Sequence, residues 1–167
     1  VVSELAEGVR DGAAARAAND MLYEHRRGKV SATLIILSVD LDSGSLVITQ
    51  CGNSGVYVRY PAGDLQLLES ESPPLGFSQH TRPTVDQIYL EPGLLALAFT
   101  DGLVHAGANT AAALDVSQAF EAIWQVTPSA QAVADGLLER ALAADQGRPK
   151  DDTSILVLHV QSGEPQG

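Results

Sequence analysis

Residues 32–50 read ATLIILSVDLDSGSLVITQ, two apolar runs around a short polar link that contains a glycine. The first run, 32–41, is rich in leucine and β-branched residues and predicts a strand buried on both faces or nearly so. The second, 46–50, predicts another. A connection of Asp42-Ser43-Gly44 is short enough for a hairpin, so the two strands should be antiparallel neighbours. The pattern recurs downstream. Val56, Val58 and Tyr60 alternate with Tyr57 and Arg59, and Pro61-Ala62-Gly63-Asp64 supplies turn chemistry before 65–68, which predicts a second hairpin. Runs 85–90 and 94–99 flank Glu91-Pro92-Gly93 and predict a third strand pair, with Thr100-Asp101-Gly102 closing the last strand.

Helical spacing appears on both sides of these strands. From 11 to 26, Ala14, Ala17, Ala18, Met21 and Leu22 recur at helical intervals and predict one packed helix. Residues 118–124 and 129–144 predict two more, separated by Thr127-Pro128, with Ser129 as the N-cap of the second. Between 69 and 77, Pro73-Pro74 marks a loop, and 154–160 is a final apolar strand. The order is helix, hairpin-linked strands, two helices, strand. It lacks the regular alternation of a doubly wound parallel sheet, so the expected class is antiparallel α+β. One domain is expected over 1–160, followed by a flexible tail at 161–167.

The composition narrows the function. The chain has 167 residues, 45% of them hydrophobic, enough for a substantial core. Its formal charge of -11 opposes binding to nucleic acid or to anionic membranes, although acidic excess by itself also serves solubility. Cys51 is the single cysteine, which rules out an internal disulfide framework or a cysteine-rich zinc site and favours a cytoplasmic protein. The longest apolar stretches fall well short of the roughly 20 residues that span a bilayer. The chain opens on Val1, so an N-terminally incomplete domain is expected.

Two acidic positions lie where a strand meets a turn. Asp101 follows 94–100, and Asp151-Asp152 precedes 154–160. A carboxylate on the end of a strand is held with little freedom, which suits a hard divalent cation that takes oxygen ligands and keeps several waters. Asp-Gly and Asp-Asp are also ordinary turn formers, so residue type alone leaves both readings open.

Four segments, in order, resemble the magnesium- or manganese-dependent protein phosphatases of type 2C, and especially their bacterial sporulation and stress-response (SpoIIE-like) branch. They are Cys51-Gly52-Asn53-Ser54-Gly55 before Val56-Tyr57, then Pro73-Pro74-Leu75-Gly76, then Thr100-Asp101-Gly102, then Asp151-Asp152-Thr153-Ser154. The resemblance covers residues 6–160. It implies two packed antiparallel β-sheets flanked by helices, with early strands of the family's fold missing. It also implies that Asp101 and Asp151 ligate metal, with Asp152 and Gly102 beside them. The family's bridging Asp-Gly pair matches Glu7-Gly8, with Glu7 in place of Asp and Gly8 supplying a carbonyl. Glutamate is one methylene longer, a change that a Mg²⁺ site tolerates poorly. Asp11 is an alternative ligand, or the N-cap of the first helix.

The implied activity is hydrolysis of phosphoserine or phosphothreonine on a bacterial regulatory protein, an anti-sigma-antagonist-like partner, by a water activated by two Mn²⁺ or Mg²⁺ ions. The alternative is a catalytically silent relative, a protein-binding or sensory module. An unrelated α+β scaffold is a third reading. Cys51 lacks a phosphate-cradling loop and reads as packing. His25, His80 and His159 show no ligand spacing, and His105 has no carboxylate partner in its motif. Arg10, Arg16, Arg26 and Arg27 read as solvated, and Trp124 as core.

Overall fold

The computed structural model describes residues 1, 2, 5, 10–108 and 113–163. Along them run α1 (Asp11–Arg26), β1 (Leu34–Asp40), β2 (Ser45–Cys51), β3 (Gly55–Arg59), β4 (Leu65–Glu69), β5 (Thr84–Tyr89) and β6 (Leu95–Phe99). These are followed by α2 (Asp101–His105), α3 (Val116–Val126), α4 (Ala130–Ala144) and β7 (Ile155–His159). They fall into two compact units, Val1–Ser54 with Glu69–Leu90, and Gly55–Leu68 with Glu91–Gly167.

The first unit holds a sheet of order β1-β2-β5, antiparallel throughout. The predicted first hairpin forms, with Leu34 opposite Cys51 and Asp40 opposite Ser45. Its link runs over 41–44, one residue longer than expected, because Asp40 ends the strand and folds back on the turn. The Asp40 carboxylate accepts from the Asp42 N–H (2.9 Å), the Ser43 N–H (3.2 Å) and the Ser43 hydroxyl (2.7 Å). The first strand is not buried on both faces. It is an edge strand, and only Ile36 in it is buried, whereas β2, between two neighbours, is buried at every residue but Val47.

Helix α1 starts and ends as expected, but its buried side is rotated. Ala14, Ala15 and Asn19 are buried, Ala18 and Leu22 pack near Ala15, Cys51 and Leu75, and Met21 is 66% exposed. Asp11 is not the N-cap. Arg10 holds that position without a side-chain cap, and Asp11 is the first helical residue. Buried Asn19 is fully used: it accepts from the Gly76 N–H (2.9 Å) and donates to the Ser78 and Gln79 carbonyls (3.3 Å each). This ties the proline-rich loop to the helix. Gly76 has φ +78, and a Cβ there would lie 2.7 Å from the Val30 carbonyl oxygen, so the loop needs glycine at that point.

The second unit holds a sheet of order β4-β3-β6-β7. Its predicted hairpin, β3 with β4, is present, and β6 runs antiparallel to both β3 and β7. Every residue of β6 is buried. Leu95, Leu97 and Phe99 join Leu103, Phe120, Val133, Leu137 and Ala141 in one core. Asp115 caps α3 by accepting from the Gln118 N–H (3.0 Å), which starts that helix earlier than its apolar spacing suggests. Ser129 caps α4 as predicted, accepting from the Ala132 N–H. Trp124 is partly buried against this core.

The third strand pair does not exist. β5 pairs with β2, and β6 with β3 and β7. The Glu91-Pro92-Gly93 link leads from one sheet to the other: the Gly93 N–H donates to the Val160 carbonyl (2.7 Å), already part of the β6–β7 ladder. The α+β class and the two antiparallel sheets with accompanying helices are as expected. Residues 161–163 carry no regular structure, and the rest of the expected tail lies outside the described residues.

Candidate metal centre

Just past the end of β6 and before the start of β7, one residue joins the two segments through side chain and backbone. The Thr100 hydroxyl donates to the Asp152 carbonyl (3.1 Å) and accepts from the Ser154 N–H (2.9 Å), while the Thr100 N–H donates to the Ser154 carbonyl (3.1 Å). The β6–β7 ladder thus continues past Phe99 and Ile155, through side chain as well as backbone. Thr100 occupies the N-cap of α2 yet makes no side-chain cap bond, since its hydroxyl is committed to this clamp. Asp101 therefore does not close a strand. It opens the short helix α2.

Gly102 is buried, and a Cβ on it would sit 2.5 Å from the Asp152 carbonyl oxygen and 2.8 Å from the Thr153 hydroxyl. Only glycine lets the two segments approach this closely. The clamp brings Thr100-Asp101-Gly102 alongside the segment 151–154, as two adjoining carriers of carboxylate. The Asp151 side chain is exposed and accepts from the Asp152 N–H (2.8 Å), and Asp101 is half-buried. Asp152 contributes its backbone carbonyl to the clamp, and the residue is exposed.

The donor set is all oxygen, which fits a hard divalent cation and not a soft one. Among the described residues no three His, Cys, Asp or Glu side chains gather to hold a metal. Glu7 and Gly8, the expected bridging pair, lie outside the described residues. Asp11, the alternative, has its Oδ2 buried and without a hydrogen-bond partner among the described residues. In the first turn of α1 that negative charge is favoured by the helix dipole.

Cys51 is fully buried, and burial pushes its thiol up from the ordinary value, opposed by hydrogen bonds to Ser72 and Thr81. Such a thiol is a poor nucleophile. His105 ends α2 and is exposed. His25 hydrogen-bonds the Met21 carbonyl (2.7 Å), and His159 meets the Trp124 ring edge-on at 5.1 Å. Sequence reasoning named Thr100 within its motif but gave it no role, which the clamp supplies. The only available signal was the hydroxyl residue immediately before Asp101.

Residues 2–161 match the family model of Stage II sporulation protein E, SpoIIE. The chain belongs to the SpoIIE family. Among curated proteins it is similar to Protein IcfG of Synechocystis sp., 29% identical over 98 residues, which is 58% of this chain and 16% of IcfG. Among solved structures it is similar to the PP2C phosphatase domain of SpoIIE from Bacillus subtilis with a fragment of its regulatory domain. That match has a TM-score of 0.80 and 18% identity, and covers 98% of this chain and 48% of the other. It is also similar to the catalytic domain of the serine/threonine protein phosphatase PstP, determined with two manganese ions. There the TM-score is 0.73 and the identity 18%, over 90% of this chain and 70% of the other. This SpoIIE-family chain therefore has a PP2C phosphatase fold, and it spans under half of that SpoIIE structure and a small part of IcfG.

Proposed function

We propose that this domain is a metal-dependent protein serine/threonine phosphatase that removes phosphate from phosphoserine or phosphothreonine on a bacterial regulatory protein. The observation that carries the reading is the Thr100 clamp, which sets Asp101 and Asp151 on two adjoining segments at the end of one ladder. Asp101 and Asp151 would hold Mn²⁺ or Mg²⁺, with Glu7 and the Gly8 carbonyl completing the set. The chemistry supplied by such ions, two of them as reported for PstP, is Lewis-acid activation of water and neutralisation of phosphoryl charge. Thr100 and Gly102 keep the two carboxylate segments in register, and the buried Cys51 leaves the reaction without a thiol nucleophile. Membership of a sporulation family supports an anti-sigma-antagonist-like phosphoprotein as substrate.

A second reading, a catalytically silent protein-binding or sensory module, is favoured by Glu7 standing where the resembled family has aspartate. Two measurements separate them. With Mn²⁺, the chain should hydrolyse p-nitrophenyl phosphate and a phosphoserine protein, and Asp101→Asn should lower kcat/KM by about a hundredfold or more. Turnover that persists in a chelator overturns the metal mechanism. Calorimetric titration of the folded chain should show Mn²⁺ binding that Asp101→Asn weakens; no binding by the unmutated chain selects the silent module.

A further inference from the structure

A cavity of about 160 Å³ adjoins the candidate centre, with Leu138, Leu142 and Pro149 forming an apolar wall and Asp145, Asp151 and Asp152 a carboxylate side. Leu138 and Leu142 stand one turn apart on α4 and are 40% and 37% exposed. Asp145 is fixed at the end of α4, where its Oδ1 accepts from the Gly107 N–H at 2.9 Å. Arg148 and Lys150 belong to the same loop but do not line the cavity, and among the described residues no cation does.

We propose that this cavity is a substrate subsite that takes a lysine or arginine side chain close in sequence to the phosphorylated residue. The proposal rests on the phosphatase reading. The volume suits one side chain, and the two kinds of wall match the two parts of a basic one: methylenes lie along leucine while the charged head reaches carboxylate. With Asp151 committed to metal, Asp145 and Asp152 are left to meet that head. Because Asp151 belongs to both the cavity and the candidate centre, the occupant must be tethered near the reacting phosphate. A residue within about three positions, each spanning roughly 3.3 Å of extended chain, meets that condition. A glutamate there would instead face like charge at close range.

The test is a phosphoserine peptide series on the full chain with Mn²⁺, in which each of the three positions on either side of phosphoserine is in turn Lys, Arg, norleucine or Glu. p-Nitrophenyl phosphate, which has no flanking residue, is the reference. At one position Lys or Arg should exceed Glu by about tenfold in kcat/KM, with norleucine between them. Asp145→Asn keeps an acceptor for the Gly107 N–H while removing the charge, and should shrink the Lys-to-Glu ratio by about threefold without a matching change on the reference substrate. A merely structural role for Asp145 would lower all rates together. Equal rates across the series while the reference is turned over overturn the subsite and leave the phosphatase reading standing. If nothing is hydrolysed, the phosphatase reading fails, and fluorescence anisotropy with the same labelled peptides decides the subsite by whether the basic peptide binds more tightly than the acidic one.

Discussion

Gly102 shows how much a single residue can decide. Its missing side chain is what lets the Asp152 carbonyl approach, so Gly102→Ala forces the Thr100 clamp apart. Overpacking at a close backbone contact costs about 1–3 kcal/mol. A lowered urea midpoint with weakened Mn²⁺ affinity is expected, and an unchanged midpoint would show that the segments have room to separate. That acidic residues follow the strand before 101 and precede the strand after 152 was legible, but not that Asp101 opens a helix. The reasons for Thr100 and Gly102 were not legible, since their partners lie some fifty residues further on. Asp11 was misread for a related reason. A short acidic residue at the start of a helix suits the N-cap and the first helical turn alike, and backbone dihedrals separate the two.

The β1–β2 turn carries a pH dependence of its own. Three hydrogen bonds into the Asp40 carboxylate, the Ser43 hydroxyl first among them, hold its pKa below the ordinary 3.8. A depressed folded-state pKa means that the contribution is fully present above the unfolded value and is lost as pH falls through the folded one. Stability measured by denaturant midpoint should therefore fall more steeply below pH 3.8 in the unmutated chain than in Asp40→Ala. Identical acid limbs would show that the turn contributes no linkage. Hairpins were readable wherever strand, turn and strand are contiguous, as in β1–β2 and β3–β4. The β5–β6 reading failed because a polar glycine link between apolar runs looks the same whether the strands pair with each other or continue into different sheets.

Leu97 on β6 joins the core of the second unit, where β6 lies between β3 and β7. Leu97→Ala should cost about 2–5 kcal/mol in unfolding free energy, read from chemical denaturation, because a central strand buried at every residue cannot collapse around the vacated volume. A loss under about 1 kcal/mol would mean that α3 and α4 close in on it. Hydrophobic periodicity alone settled the antiparallel α+β class and the helices at 11–26 and 129–144, because helix and strand patterns are written in residues a few positions apart. Strand partners, the rotation of α1 that exposes Met21, and the clamp that joins Thr100 to Asp152 and Ser154 emerged only once the chain was folded. Those features depend on which distant surfaces meet, and contacts across fifty or more residues leave no periodic trace in a single sequence.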